Sequence, residues 1–195
     1  MRIGVVASLF AVVALGVIFL YADRPDNLSP KKLPLLGEAP RFELIDQSSS
    51  PFSSLNLTGK VWVANFFFSS CHGPCPATMA SLAQIVKEFE GEKLVRFVSI
   101  SSDPETDTPQ KLAEYAANYP SQNWSYLTGP RDQIIDASVK GFKLALTPDP
   151  NVHSTKLVLV DKEQQIRGYF SPSEPADVEQ LQSAIRGMLT ASRPD

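Results

Sequence analysis

The chemistry of this chain is concentrated in two thiols. Cys71 and Cys75 are its only cysteines, and they stand in the stretch FFFSSCHGPCPATMA, Phe66 to Ala80, where an apolar run gives way to a helical pattern. Backbone N–H groups at the start of a helix stabilise an anion, so a cysteine placed there is expected to ionise readily. The thiolate is both the nucleophile and the metal ligand of cysteine chemistry. Three uses follow: a structural bridge, exchange with another disulfide, or a hold on an ion. A bridge across so short a loop removes little chain entropy, which disfavours a mere staple. Thioredoxin-type redox motifs place two residues between their cysteines; CHGPC has three, so it carries the GPC of that motif without its spacing. Pro74 and Pro76 stiffen the turn.

The chain has two histidines. His72, between the cysteines, reads as an exposed loop side chain. His153, in PDPNVHSTKLVLV, stands just before an apolar run with strand character, and a strand entered there would lie beside the one that leads to the cysteines. His153 is therefore the candidate third donor. Two thiolates and one imidazole suit the soft Cu(I) ion, and a water or carboxylate could complete a site for Cu(II). Zinc in a structural site normally takes a fourth protein ligand, and no obvious one is present.

These residues need elements to hold them. VWVANFFF, Val61 to Phe68, is a near-continuous run of apolar, β-favouring residues and predicts a central strand covered on both faces. Met79, Leu82, Ala83, Val86 and Phe89 then recur at helical spacing, with Pro76 suited to the first turn and Cys75 expected as the cap. KLVRFVSIS, Lys93 to Ser101, predicts the next strand, parallel to the first. Thr108 and Pro109 mark the start of another helix, and a shorter one is expected over Arg131 to Lys140. KLVLVD and QIRGYF form an antiparallel hairpin. Ser173 is expected to cap a last helix opened near Pro175. The order βαβ, helices, ββα is that of a thioredoxin-like α/β fold with a central mixed sheet flanked by helices. Chemistry in such folds gathers at the carboxyl end of the first strand, where the cysteines sit.

The remainder of the sequence concerns placement. Ile3 to Tyr21 runs without a charge, long enough as a helix to cross a hydrocarbon core of roughly 30 Å. It is longer than a signal-peptide core and lacks a good cleavage site after it, so residues 1–21 are read as an N-terminal membrane anchor. Arg2 ahead of it favours a cytoplasmic amino end. Residues 22–40, rich in proline, read as a linker, and residues 41–195 as one domain lying outside the cytoplasm, in the periplasm at a bacterial inner membrane. There a lone cysteine pair can be oxidised. The net charge of −3 and the lack of a basic stripe exclude nucleic acid as a partner.

Several stretches together resemble the SCO/SenC family: Cys71, Cys75 and Pro76 as C-x-x-x-C-P after the apolar strand, SSDPETDTPQKLAEYA after the next, YLTG at Tyr126 to Gly129, and HSTKLVLVDKEQQI from His153. The resemblance covers Gly37 to about Leu189. It implies a membrane-anchored, thioredoxin-like copper chaperone that serves the binuclear copper centre of cytochrome c oxidase, with Cys71, Cys75 and His153 as copper ligands. The partners implied are the copper-bearing oxidase subunit and a periplasmic copper donor or thioredoxin-like reductant. Asp103 and Asp107 keep the family pattern, and Asp103 is the carboxylate expected nearest the site. Two departures stand out. His72-Gly73 follows the first cysteine where relatives often have Pro-Asp, and Val152 precedes the histidine where they often have Asp. Loss of that carboxylate is expected to weaken the bond that orients the imidazole. The competing function is a thiol–disulfide reductase that keeps the oxidase cysteines reduced; it needs the two sulfurs and not His153. A peroxide-reducing enzyme is a weaker alternative, since no arginine and threonine setting surrounds a cysteine.

Overall fold

The computed structural model describes residues 33–190 apart from His72, Pro74 and Asn151. The apolar run from Ile3 to Tyr21 lies outside the described residues; among those described, no helix is long and apolar enough to cross a membrane.

Eight strands among the described residues make one sheet. They are β1 (Gly37–Glu38), β2 (Glu43–Asp46), β3 (Pro51–Ser53), β4 (Val61–Phe67), β5 (Val95–Ser101), β6 (Trp124–Thr128), β7 (Leu157–Val160) and β8 (Gln165–Phe170). Their order across the sheet is β1-β8-β7-β4-β5-β6-β2-β3. β4, β5 and β6 run parallel, while β7 pairs antiparallel with β4 and β8 with β7. The α-helices described are α1 (Cys75–Glu88), α2 (Pro109–Ala116), α3 (Arg131–Ile135) and α4 (Pro175–Thr190). This is the mixed, helix-flanked sheet expected of a thioredoxin-like domain.

The apolar run of β4 is buried along its whole length and splits its residues between two cores. Val61, Val63 and Phe67 face α1 and α4, packing with Met79, Leu82, Ile85, Leu181 and Ile185. Trp62, Ala64 and Phe66 face the other side, packing with Leu57, Ile134, Phe142 and Leu144. A strand sandwiched in this way cannot shift by one residue without exchanging its two faces, so the position of the cysteines just beyond it is fixed. Each fully buried large side chain contributes about 1.5–3 kcal/mol. Asn65 is the polar exception on β4. It accepts from the Ser99 hydroxyl at 2.6 Å and approaches Met79 Sδ at 3.5 Å, and Ser99 in turn accepts the Trp124 indole N–H at 2.9 Å.

Several elements differ from the sequence expectation. α1 begins on Cys75 itself rather than after it as a cap. The short helix over Arg131 to Lys140 is α3 running into a π-helical turn, Asp136–Gly141. α2 opens as expected, with Thr108 Oγ1 accepting from the Lys111 N–H at 3.3 Å. Ser173 does not act as the expected cap of α4: its hydroxyl lies 3.1 Å from that of Ser171, and the Asp177 carboxylate accepts the Ser171 N–H at 2.7 Å instead. β6, β1 and β3 are strands that periodicity did not indicate.

The last part of the proline-rich stretch belongs to the domain. Leu33 is buried in the α1–α4 core, β1 pairs with β8, and Arg167 donates to the carbonyls of Leu33 and Pro34 at 2.7 and 3.2 Å while pairing with Asp161. Pro40 packs so tightly on the π-helical turn that a Cβ at Gly141 would stand 2.3 Å from it.

Candidate functional site

Beyond Phe67 the chain must turn from β4 into α1 within a few residues, and buried hydrogen bonds fix that turn. The Cys71 N–H donates to the Phe68 carbonyl at 3.3 Å. Ser69 is bound from outside the loop: its N–H donates to Asp107 at 3.0 Å and its hydroxyl donates to the same carboxylate. Asp107 also accepts the Ser101 hydroxyl at 2.6 Å. It is fully buried, and a buried carboxylate is tolerable only when hydrogen bonds replace its water. The three donors do so, and they tie the cysteine loop to the end of β5.

His153 arrives from the other side. The chain ahead of β7 folds back on itself: His153 bridges to Leu146, Ser154 N–H donates to the Ala145 carbonyl at 2.9 Å, and Thr147 N–H donates to that of Val152 at 3.2 Å. Ser102 Oγ donates to the Pro150 carbonyl at 3.3 Å, and Arg131 to that of Pro148 at 3.1 Å. Because β7 pairs with β4, this loop faces the cysteine loop across the end of the sheet.

The outcome is a contact between residues 78 positions apart: Cys75 Sγ and His153 Nε2 are 3.6 Å from each other. His153 Nδ1 lies 3.0 Å from the Ser154 carbonyl. A carbonyl can only accept, so Nδ1 carries the proton and the Nε2 lone pair points at the sulfur. Phe68 stands edge-on to the imidazole, with ring centroids 5.8 Å apart. The orienting partner is thus a backbone carbonyl, and the preceding Val152 points to solvent at 49% exposure. Cys71 is partly exposed and Cys75 buried; both are free thiols, and Cys71 hydrogen-bonds to Cys75.

Protonation follows from this burial. Removal from water pushes the Cys75 thiol up to about 12, with the hydrogen bond and charge of Cys71 acting in the same direction. The expectation of a ready thiolate at the helix start therefore fails for Cys75, because desolvation outweighs the helix N–H groups. Burial also holds His153 below the ordinary histidine value, against a smaller opposing effect of the Ser154 carbonyl. At neutral pH the facing pair is a thiol and a neutral imidazole.

A separation of 3.6 Å suits a shared ion. With bonds of about 2.3 Å to sulfur and 2.0 Å to nitrogen, donors at a tetrahedral to trigonal angle stand roughly 3.5–3.7 Å apart. Neither the cleft lined by Phe42, Leu55 and Asp136 nor the one lined by Leu36, Lys143 and Ile166 holds any of these donors.

Of the other candidate residues, His72 lies outside the described residues. Asp103 faces Arg131, at 3.8 Å, and makes no hydrogen bond to either cysteine or to His153 among the described residues. Its backbone joins the Asp107 cluster, the N–H donating to Ser101 Oγ at 3.0 Å and the carbonyl accepting from the Asp107 N–H at 2.8 Å, while its carboxylate faces Arg131, which also binds Glu105 and the Pro148 carbonyl. Arg131 and Ser69 were not indicated by the sequence. Ser69 could have been suspected from its position two residues before Cys71; nothing marked Arg131.

Comparison with known proteins identifies the family. The family described as SCO1/SenC matches residues 35–190. A putative copper-binding protein of Stutzerimonas stutzeri is 31% identical, the match covering 86% of this chain and 85% of that one. The crystal structure of a SCO1/SenC family lipoprotein from Bacillus anthracis superposes with a TM-score of 0.72 at 30% identity, covering 80% of this chain and 97% of the other. A structure of BsSco, described as carrying a disulfide switch and as a member of the Sco family of cytochrome c oxidase assembly proteins, gives a TM-score of 0.71 at 31% identity, with 80% and 96% covered.

Proposed function

Since the chain belongs to the SCO1/SenC family, we propose that it is a copper chaperone that takes up the ion on Cys71, Cys75 and His153 and passes it to the copper-bearing subunit of cytochrome c oxidase. The observation that carries this reading is the 3.6 Å approach of His153 Nε2 to Cys75 Sγ, with the ring held by Ser154. Thiol exchange has no need of an imidazole lone pair aimed at the buried sulfur; a metal site does.

Copper is the cargo here. The partly exposed Cys71 meets the ion first, and Cys75 and His153 complete its capture. Cys75 is protonated beforehand and releases its proton as it binds, which makes uptake stronger as pH rises. Delivery is the reverse exchange, with thiolates of the acceptor replacing those of the chaperone one at a time. Cu(I) and Cu(II) are both within reach of such a donor set. The domain acts in the periplasm, tethered by the apolar segment at residues 3–21, and receives copper from a periplasmic donor.

The second reading, a thiol–disulfide reductase working with a thioredoxin-like reductant, draws support from the pairing of one accessible and one buried thiol. His153→Ala separates the two. It is expected to leave disulfide exchange intact, weaken Cu(I) binding by at least about the 10–100-fold typical of disturbing a ligand's partner, and lower oxidase assembly, with partial rescue by added copper. Chelator competition and oxidase activity are measured on wild type, His153→Ala and Cys71→Ser. Full oxidase activity in His153→Ala together with none in Cys71→Ser would leave thiol chemistry as the function. Oxidation that joins Cys71 to Cys75 is expected to abolish Cu(I) uptake; equal uptake by the oxidised and reduced protein would place the metal elsewhere.

A further inference from the structure

The point at which the chain enters the domain lies at the same end of the sheet as the site. β1 runs antiparallel to β8, with Gly37 opposite Ile166 and Glu38 opposite Gln165. Followed backwards, residues 36 to 33 therefore travel along β8 toward Phe170, and Leu33 joins the core cluster that contains Phe170. β8 is antiparallel to β7, and β7 to β4, so the Phe170 end is the end where β4 delivers the cysteines and β7 begins after His153. Arg167 clamps the entry by its bonds to the Leu33 and Pro34 carbonyls. The last helix ends at the opposite side. α4 starts beside the site end, where Ser81 Oγ donates to the Pro172 carbonyl at 3.0 Å, and runs alongside α1 until Arg186 pairs with Glu88.

We infer that an N-terminal membrane tether holds the domain with its cysteine–histidine end toward the bilayer, so that the surface around Cys71, Val152 and His153 meets an acceptor whose own copper-binding thiols lie close to the membrane. The inference rests on the copper-delivery and N-terminal-anchor readings above. Residues 22–32 can span at most about 40 Å. A domain of this size has a radius of gyration of about 15 Å. The tether is thus no longer than the domain is wide, and the clamped entry keeps the site within its reach while the far end stands a domain's width further out. A soluble acceptor would gain nothing from this arrangement; a membrane-bound one meets the site at the height where it is held.

Orientation can be read directly on the full chain in phosphatidylcholine–phosphatidylglycerol vesicles whose headgroups carry an energy acceptor. A fluorescent amino acid is placed at position 152, beside the site, or at position 93, exposed before β5 at the far end. The probe at 152 is expected to transfer energy at least about twice as efficiently; equal transfer, or more from 93, overturns the orientation. A second chain carries about 40 Gly/Ser residues inserted between positions 32 and 33. This insertion is expected to bring the two probes level, leave Cu(I) affinity unchanged, and reduce copper delivery to the oxidase roughly tenfold, as effective concentration falls with tether length. Undiminished delivery by that chain would show that the held orientation is not used. Normal oxidase copper in cells lacking the protein altogether would instead refute the delivery reading, while the vesicle measurement would still decide the orientation.

Discussion

Cys75 and His153 share a buried position, and burial shifts the proton affinity of each. His153 is held below its usual value of 6.5, so in acid the unfolded chain binds a proton that the folded protein resists. Stability is therefore full above pH 6.5 and declines as pH falls toward the lowered folded value. Cys75 behaves in the opposite sense. Its thiol is raised from 9.0 to about 12, so above pH 9 the unfolded chain loses a proton that the folded protein keeps, and stability declines again. The reduced, metal-free protein is expected to show a plateau in melting temperature between about pH 6.5 and 9, narrower than that of a His153→Phe, Cys75→Ala double variant. Thermal melts across pH on both proteins check this, and coincident profiles would show that the pair does not set the plateau. The value of these residues as a donor set was legible from their types. Their protonation was not, because burial depends on how tightly β4, α1 and the chain ahead of β7 close around them.

At the scale of elements, the site depends on the two loops that bring β4 and β7 into register. Asp107 connects the cysteine loop to β5 with three hydrogen bonds and, among the described residues, no side-chain cation. Asp107→Ala strands buried donors on Ser69 and Ser101 and is expected to cost about 3 kcal/mol of stability, measured by denaturant unfolding. Because Ser69 lies two residues before Cys71, the same variant should also bind Cu(I) more weakly; unchanged affinity in a folded Asp107→Ala protein would mean that the loop is held by other contacts. In DPETDTP the sequence shows turn formers and a helix start at Thr108, and Asp107 is marked only by the family resemblance, which does not say what it binds. Its role follows from the parallel pairing of β4 with β5, which brings Ser69 and Ser101 to the same carboxylate. β4 was legible because a run of apolar, β-favouring residues broken only by Asn65, too short for a core helix and bounded by turn formers, fits a strand buried on both faces. WSYLT in β6 was not, because Ser125 breaks the run and the aromatic cluster that buries Trp124 and Tyr126 draws on Phe67, Tyr115 and Tyr119 from other elements.

For the molecule as a whole, composition and motif order were sufficient for the fold class, while the edges of the sheet were not legible. A two-residue strand such as β1 has no period to detect, and a proline-rich approach looks the same whether it hangs free or lies on a sheet. A domain trimmed to begin at Arg41 loses Leu33, Ala39, β1 and the two backbone carbonyls that Arg167 binds. It is expected to be about 2–4 kcal/mol less stable than one beginning at Leu33, chiefly from the lost apolar burial. Equal unfolding midpoints would confine the domain to residues 41 onward. The β1–β8 pairing also has a consequence in time. A chain made from its amino end offers Gly37 no partner until Ile166 has been synthesised, and β4 likewise waits for β7. At roughly 5–20 residues per second, the stretch from Cys75 to Phe170 takes about 5–20 s to emerge. Through that interval the two cysteines belong to an open, unfolded segment, and any factor that guards or oxidises the nascent thiols must act before the sheet closes over them.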